Sequence, residues 1–265
     1  MGNRRNRNPE KPNLSANIIY KTDEIAKFYA ANRRRWDELY PSERWIFERG
    51  IADAGNLGHV LDVGCAVGGL ALALSERKPL KAYTGIDINE RAVALAKTLD
   101  HFPMPTEFIS GDILACPELA NRQFDTVVAL GVADFNLATT SIIEACWRHV
   151  APGGRLVISL RMTPEQGVQD IAASYQFIQF SGDVDESGER APYTVQNSTD
   201  ALVLLRGMQP VPRSLLGYGY WGAPSATART PFKRIVFSVF ALTKPAAGES
   251  ADGRLELHLP IDALA

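Results

Sequence analysis

The sequence predicts an α/β protein in which a parallel sheet is covered by helices on both of its faces. Apolar strand segments alternate with helical segments from residue 58 to residue 160. The strand segments are apolar along their whole length, as expected where both faces of a sheet are buried. The first strand turns into its helix through Gly64, Gly68 and Gly69, so the backbone can come close to a ligand there.

The predicted elements of this region follow one another in a regular order. The strand segments are HVLDVG, AYTGID, TEFISGD, FDTVVALGV and RLVISL, and the helical segments are GGLALALSER, NERAVALAKTLD and ATTSIIEACWRHV. A short connection that contains CPELA follows the third strand. In an open parallel sheet, ligands bind at the carboxyl ends of the strands. The strand ends of this region are therefore the place to look for a site.

Further segments flank this core on both sides. Residues 1–13 are polar and rich in Arg and Asn, which predicts a disordered arm. The segment RLELHLPI near the end of the chain would either add an edge strand or stay loose. The predicted division is a domain at 14–245, with helices at 14–57, the core at 58–160, an insert at 161–212, final strands at 213–245 and a tail at 246–265.

The insert breaks the alternation of strands and helices. YQFIQF and APYTVQN flank the polar loop SGDVDESGER, which predicts an antiparallel hairpin between Tyr175 and Asn197. We expect this hairpin to act as a lid or as the arm of a homodimer. The segment STDALVLLRGM predicts a short helix whose N-cap is Ser198 or Thr199.

Composition and charge exclude several classes of function. Hydrophobic residues make up 46% of the chain and charged residues 22%, which is enough apolar material for a buried core. The net charge of -2 gives no general attraction to nucleic acid or to an anionic membrane, so we expect neither as a partner. No apolar run reaches the ~18 residues of a membrane span. Cys65, Cys116 and Cys146 are scattered and lack metal-ligand spacing, which predicts a cytoplasmic protein without a metal site.

Carboxylates near two successive strand ends predict a pocket with the shape of adenosine. Asp87 ends the second strand, where it could accept two hydrogen bonds from a ribose diol, and Ile88 could cover one face of a purine. Asp112 follows the third strand, where it could accept a hydrogen bond from an exocyclic amine, with Ile113 beside it. The competing interpretation of each aspartate is a cap or loop residue.

Two cofactors that contain adenosine are compared with this pattern. A nicotinamide dinucleotide needs G-x-G-x-x-G, but Ala66 stands at the middle glycine and the spacing differs. Asp62 would also place a negative charge close to the diphosphate. S-adenosylmethionine has no phosphate and carries a sulfonium cation, and its amino group favours a nearby carboxylate. The residues therefore favour S-adenosylmethionine.

The chain resembles the class I S-adenosylmethionine-dependent methyltransferases over roughly residues 58–160. The resemblance rests on VLDVGCAVGG, YTGIDINERAVALAK, SGDIL, FDTVVALGVADF and HVAPGGRLVISL, which look like successive motifs of that family. SLLGYGYW and RIVFSVFALTK look like the antiparallel hairpin that closes the family's sheet. The resemblance implies a doubly wound, Rossmann-like sheet of seven mostly parallel strands, with an antiparallel last strand and an inserted hairpin and helix.

The resemblance also implies which residues bind the cofactor, S-adenosylmethionine. Its methionine moiety would be lined by Asp62, Gly64, Cys65, Ala66 and Gly68. The nucleoside would be held by Asp87 at the ribose, by Ile88 at the adenine face, and by Asp112 and Ile113 at the adenine edge. Leu130 and Gly131 would contact the cofactor through their backbone atoms.

Candidates for the acceptor side of the site lie after the fourth strand and in the final strands. Asp134, next to Phe135, would either orient or deprotonate an acceptor, or cap the following helix. Tyr218, Tyr220 and Trp221 would either form an acceptor wall or pack as an edge strand on the sheet. Asp134 is the catalytic candidate that we carry forward.

The predicted function is methyl transfer from S-adenosylmethionine to an oxygen or nitrogen of a small-molecule acceptor. Two alternatives stay open. The first is an NAD-type oxidoreductase or epimerase, and the second is a non-catalytic subunit that keeps the methyltransferase fold. Binding of S-adenosylhomocysteine without binding of a dinucleotide would reject the first, and binding of neither would favour the second.

Overall fold

The computed structural model describes residues 26, 30–51, 55–99, 101–178, 189–250 and 253–264. The arm predicted at residues 1–13 lies outside the described residues. Residues 179–188, which include most of the acidic loop of the predicted hairpin, also lie outside the described residues. No helix among the described residues is long and apolar enough to cross a membrane.

The described strands fall into one large sheet and one small sheet. In chain order the strands are β1 (His59–Val63), β2 (Ala82–Asp87), β3 (Thr106–Ser110), β4 (Phe124–Ala129), β5 (Val150–Thr163), β6 (Tyr175–Phe177), β7 (Arg190–Pro192), β8 (Gln196–Asn197), β9 (Ser214–Gly222), β10 (Ala228–Arg229), β11 (Ile235–Thr243) and β12 (Arg254–His258). The small sheet has the order β10-β6-β7. Because β6 and β7 pair antiparallel, the predicted hairpin is confirmed.

The large sheet has the strand order β12-β9-β11-β5-β4-β1-β2-β3, and β8 pairs with the end of β5. Strands β1 to β5 are parallel, whereas β11 runs antiparallel to both β5 and β9. The seven strands from β3 to β9 in this order confirm the predicted fold class. The tail adds β12, which pairs parallel with β9 as a further edge strand.

Short helices connect the strands of the large sheet. They are α1 (Pro41–Trp45), α2 (Gly69–Ser75), α3 (Glu90–Lys97), α4 (Thr139–Arg148) and α5 (Ser198–Arg206). A π-helical turn at Ile46–Gly50 continues α1, and 3-10 turns lie at Trp36–Glu38, Pro117–Leu119, Ala133–Phe135 and Ile261–Ala263. The predicted N-cap of α5 is wrong by one residue. The Asn197 side chain accepts hydrogen bonds from the backbone N–H groups of Thr199 and Asp200, and Ser198 is already helical.

The core lies on both faces of the large sheet, as the apolar strands predict. Leu61 of β1 packs on one face, in the cluster that contains Trp147 of α4. Val60, its neighbour, packs on the other face with Leu74 of α2. Both strand residues are fully buried. The carboxyl ends of the strands are therefore the open edge at which a cavity can form.

Candidate functional site

A cavity of about 810 Å³ lies at the carboxyl ends of β1, β2 and β4. Its wall includes the glycine turn after β1, the segment from Asn32 to Glu43, and residues of the insert. All but one of the predicted cofactor-binding residues line it: Asp62, Gly64, Cys65, Ala66, Asp87, Ile88, Asp112, Ile113, Leu130 and Gly131. The catalytic candidate Asp134 lines the same cavity.

Gly68 is the predicted residue that the structure does not place on the cavity wall. It has φ +81°, and a Cβ at this position would lie 2.8 Å from the Phe108 ring. Its N–H donates to the carbonyl of Cys65 at 2.8 Å, which closes the turn. Gly68 therefore allows the turn to pack on β3. Glycine adopts a positive φ readily, and it has no side chain that would clash with Phe108.

Asp87 links the glycine turn to the start of α3. One carboxylate oxygen accepts the N–H of Ala66 at 2.8 Å and the other accepts the N–H of Asn89 at 2.8 Å. Burial raises the pKa of Asp87, and these backbone hydrogen bonds oppose that rise. The bonds fix the orientation of the carboxylate at the cavity wall, and each oxygen keeps a second lone pair for a ligand.

Asp62 is a buried carboxylate next to this turn. The hydroxyl of Tyr83 donates a hydrogen bond to it. The pKa of Asp62 is raised to about 7, chiefly by burial; the Tyr83 hydrogen bond lowers it, and the charge of Asp87 contributes to the rise. Burial also raises the pKa of the Cys65 thiol well above its usual value, so Cys65 is unsuited to act as a nucleophile.

The other predicted cofactor residues extend along the strand ends. Ile88 is 37% exposed at the wall, which leaves its side chain free to cover a flat ligand. Asp112 accepts the N–H of Leu114 at 2.9 Å, next to the buried Ile113. The N–H of Gly131 donates to the Ser159 hydroxyl at 2.8 Å.

The segment before β1 forms a wall of the cavity through a buried ion pair. The Arg33 guanidinium donates to both oxygens of Glu43, at 2.9 and 3.0 Å, and Glu43 is 3% exposed. Glu43 also accepts the N–H of Tyr40 at 2.8 Å. The carbonyl of Arg33 lies against Gly69, where a Cβ would be only 2.7 Å away. The segment is thus seated directly on the glycine turn.

A second ion pair lies deeper in the cavity wall, between Arg161 of β5 and Asp134. The Arg161 guanidinium is 3.3 Å from a carboxylate oxygen of Asp134 and 3.3 Å from its backbone carbonyl. The guanidinium lies in the corner formed by two nearly perpendicular rings, 4.2 Å from the centroid of Phe135 and 4.1 Å from that of Tyr193. Burial raises the pKa of Asp134 to about 6, and the charge of Arg161 opposes that rise.

The alternative role of Asp134 as a helix cap is wrong. Asp134 lies in the 3-10 turn Ala133–Phe135, whereas α4 begins after Ala138 without a side-chain cap. The side chain of Asn136 accepts the N–H of Ala138 at 2.7 Å and so fills the place near the helix start. Asp134 instead pairs with Arg161, because a buried carboxylate needs a partner of opposite charge.

The three aromatic candidates of β9 divide between the two expected roles. Tyr220 lines the cavity and stacks on Phe237, with ring centroids 5.8 Å apart. Tyr218 stacks on Trp45 at 4.8 Å, and the indole N–H of Trp221 donates to Asp262 at 2.8 Å. Tyr218 and Tyr220 are two residues apart and share one face of β9, whereas Trp221 lies on the other face.

The cavity-wall residues that were not predicted include the ion-paired Arg33, Glu43 and Arg161, and Tyr193. Arg161 could have been predicted from the sequence, because a cation near the end of an apolar strand is buried and needs a partner of opposite charge. Tyr193 and Glu43 could not have been predicted, since their positions depend on how the hairpin and the segment before β1 pack on the sheet. No group of three or more His, Cys, Asp or Glu side chains in the described ranges could hold a metal ion.

Comparison with known proteins agrees with this geometry. Residues 60–154 match the family described as "Methyltransferase domain". Proteins named ubiquinone biosynthesis O-methyltransferase, from Pseudomonas entomophila strain L48 and Pseudomonas putida strain F1, are each 35% identical to this chain over 147 residues. Each match covers 51% of this chain and 61% of the relative, so the chain spans about three fifths of the length of these relatives.

Solved structures support the fold. A crystal structure of an S-adenosylmethionine-dependent methyltransferase from Clostridium acetobutylicum matches with a TM-score of 0.51 and 15% identity, covering 83% of this chain and 98% of that chain. At this identity the likeness concerns the fold alone. Residues 60–154 thus match a methyltransferase domain, and the sheet around them has the fold of that solved S-adenosylmethionine-dependent methyltransferase.

Proposed function

We propose that this protein transfers the methyl group of S-adenosylmethionine to an oxygen or nitrogen of a small-molecule acceptor. One observation carries the proposal. A single cavity has Asp62 and Asp87 beside the glycine turn, and Asp134 paired with Arg161 elsewhere in its wall. Its volume of about 810 Å³ lies high in the range of ~300–1,000 Å³ found for ligand sites, which leaves room for a donor and a small acceptor.

The donor would lie against the strand ends. Asp87 would accept from the ribose hydroxyls, with its orientation already fixed by two backbone hydrogen bonds. Ile88, Asp112 and Ile113 would surround the adenine. Asp62, Gly64, Cys65 and Ala66 would line the methionine moiety, and Leu130 and Gly131 would make backbone contacts. When bound, S-adenosylmethionine supplies a methyl group on a reactive sulfonium cation.

The charges on this wall support a cationic donor over a dinucleotide. Asp62, Asp87 and Asp112 are acidic, and in their ionised forms they would repel a diphosphate placed beside them. Arg33, whose backbone carbonyl lies against Gly69 of the turn, has its guanidinium paired with Glu43. The buried polar groups thus fit a ligand that has a diol, an amine and a positive charge, and no phosphate.

The acceptor side supports an oxygen acceptor. The curated relatives are named as O-methyltransferases, and removal of a hydroxyl proton needs a base near the reacting oxygen. Asp134 would be that base, since it is a carboxylate in the cavity wall. The net charge of -2 supports a small molecule over nucleic acid. A homodimer and a cytoplasmic location stay predictions.

We also propose residues 14–245 as the catalytic domain, with 161–212 as an insert that covers the acceptor side. Gln176 and Tyr193 of the insert line the cavity, which supports a role as a lid. The tail at 246–265 would belong to the fold as well, because it supplies β12.

Titration calorimetry with S-adenosylhomocysteine tests the donor assignment. We expect Asp87→Ala to lose about 1.5–3 kcal/mol of binding free energy, as for hydrogen bonds to a charged group. Asp125→Ala is the matched control, because Asp125 is bound to the N–H of His59 and does not line the cavity. An unchanged affinity of Asp87→Ala would remove Asp87 from the site, and tight binding of NAD in its place would support the oxidoreductase.

The acceptor assignment is tested with probes. Phenol, catechol, dihydroxybenzoate and simple amines are incubated with the protein and S-adenosylmethionine, and methylated products are detected by mass spectrometry. We expect methylation of at least one hydroxyl probe. A protein that binds S-adenosylhomocysteine but methylates none of these hydroxyl or amine probes would contradict the proposed acceptor class.

A further inference from the structure

The geometry points to Arg161 as a positioning residue that acts through Asp134. It holds this carboxylate ionised and oriented, so that Asp134 can take the proton of an acceptor hydroxyl. The inference rests on the proposed function. It adds that the acceptor is a neutral hydroxyl compound and that the basicity of Asp134 is set by Arg161.

Arg161 is held more firmly than a surface arginine. Its side chain is 10% exposed, and its guanidinium lies in the corner of the nearly perpendicular rings of Phe135 and Tyr193, at 4.2 and 4.1 Å from their centroids. Cations are attracted to the faces of aromatic rings, most strongly where water is excluded. These two ring contacts hold the guanidinium beside Asp134.

The charges around Asp134 come from three parts of the chain. Arg161 faces it from β5, Glu43 from α1, and Tyr193 from the segment after β7. The Glu43 charge disfavours ionisation of Asp134 and is itself paired with Arg33. Arg161 is therefore the charge that favours the ionised form of Asp134 among these neighbours.

The pair also has polar atoms that nothing in the described chain satisfies. One carboxylate oxygen of Asp134 and the Nε of Arg161 are buried without a hydrogen-bond partner among the described residues. A buried polar atom without a partner costs about 1–3 kcal/mol. A hydroxyl group can donate to a carboxylate and accept from a guanidinium, which are the two kinds of contact that are missing.

The charge balance supports a neutral acceptor. Arg161 with Asp134 and Arg33 with Glu43 each sum to no net charge when ionised, so neither pair offers an unbalanced charge to an anionic or cationic acceptor. In the reaction the acceptor oxygen forms a bond to the methyl carbon and its proton goes to Asp134. The carbon–sulfur bond breaks, its electron pair stays on sulfur, and the proton later passes from Asp134 to solvent.

The test compares the pH dependence of methyl transfer to a hydroxyl probe in full-length variants. Arg161→Gln should move the acidic limb of kcat/KM to higher pH by about 1–3 units, because an opposite charge favours ionisation by that amount. Its kcat should fall about tenfold or more. Arg161→Lys keeps the charge and loses the guanidinium that contacts both rings, so its pH limb should stay near that of the wild type while kcat falls.

Arg122→Gln is the matched control. Arg122 also lies over a ring, that of Phe124, and pairs with Glu107, but it does not line the cavity. This variant should leave the pH limb and kcat unchanged. All three variants should bind S-adenosylhomocysteine within twofold of the wild type, which separates damage to the fold or donor site from an effect on Asp134.

Two results would overturn the inference. One is active Arg161→Gln protein whose pH limb matches the wild type, which would leave the donor and acceptor assignments intact. The other is wild-type protein that binds S-adenosylhomocysteine but methylates amine probes alone or none, which would also remove the oxygen acceptor of the proposed function. If Arg161→Gln does not fold, the Arg161→Lys profile decides, and a shifted limb in that variant contradicts the proposal.

Discussion

Three carboxylates of the cavity wall differ in their surroundings, and these surroundings separate their roles. Asp87 is held by two backbone N–H groups, Asp62 by the Tyr83 hydroxyl, and Asp134 by Arg161. Only Asp134 pairs with a cation in the described structure at salt-bridge distance. A fixed cation favours the ionised form of its carboxylate, which a proton acceptor needs, whereas backbone N–H donors fix the orientation of a carboxylate toward a ligand.

Asp62 should make the stability of the ligand-free protein depend on pH. Its pKa is raised from the ordinary value of 3.8 to about 7 by burial. Between about pH 4 and about pH 7 the folded state therefore keeps a proton on Asp62 that the unfolded state has lost. The free energy of unfolding consequently falls as the pH rises from about 4 to about 7. Asp62→Asn should remove this loss, which is on the order of 4 kcal/mol.

Urea denaturation at pH 5 and pH 8 measures the effect. We expect the wild type to lose stability relative to Asp62→Asn across this interval, while both proteins share the contributions of Asp87 and Asp134. Tyr83→Phe is the companion variant, since it removes the hydrogen bond to Asp62 and keeps the carboxylate. Parallel pH profiles of wild type and Asp62→Asn would contradict the raised pKa.

Prediction at the residue level was best where the signal is local. Asp87 was found because a carboxylate at a strand end has a position fixed by its own strand. Arg161 and Tyr193 were missed because their meeting depends on the packing of the hairpin onto β5. The prediction of Asp134 as a helix cap was wrong for the same reason. The sequence shows that a helix begins nearby, but it does not show that the distant Arg161 packs against Asp134.

At the scale of elements, the segment before β1 should owe its place on the glycine turn to the Arg33–Glu43 pair. Glu43→Gln keeps the size of the side chain but removes the charge that binds Arg33 and the Tyr40 N–H. We expect a loss of about 1–3 kcal/mol in the free energy of unfolding, because the bonds are charge-assisted and Glu43 is buried. Urea denaturation at constant pH measures the loss.

A nearby exposed pair provides the control for this variant. Asp37 lies 2.8 Å from Arg35, and both side chains are more than 60% exposed. Asp37→Asn should change stability by less than about 0.5 kcal/mol, since exposed ion pairs contribute little. Equal effects of Glu43→Gln and Asp37→Asn would mean that the buried pair does not hold the segment.

Sequence patterns predicted the elements better than their ends and edges. The β1 to β5 strands were found because a strand buried on both faces is apolar throughout. The N-cap of α5 was missed by one residue, since Asn197, Ser198 and Thr199 are all good capping residues and only geometry selects one. The structure of the tail does not follow from its sequence. RLELHLPI alternates in polarity as a strand does, but the segment is too short for this pattern alone to distinguish an edge strand from a loose segment.

At the scale of the whole molecule, the strand order explains why the site is assembled from distant parts of the chain. β1 lies at the centre of the sheet between β2 and β4, so residues near 62, 87 and 130 meet at one edge. β11 returns antiparallel beside β5 and brings β9 with it. Tyr220 of β9 thereby reaches the same cavity as the glycine turn, more than 150 residues earlier in the chain.

Because the cavity joins the sheet, the first segment and the insert, ligand binding should stabilise the protein as a whole. S-adenosylhomocysteine at 100 times its Kd should add about 2.7 kcal/mol to the free energy of unfolding. For a chain of this size that corresponds to a rise in Tm of roughly 5–10 °C, measured by calorimetry. The same concentration should raise the Tm of Asp87→Ala by about half of this or less, and NAD should leave the wild type unchanged. A rise with NAD and none with S-adenosylhomocysteine would place a diphosphate in the cavity, against the repulsion expected from Asp62, Asp87 and Asp112.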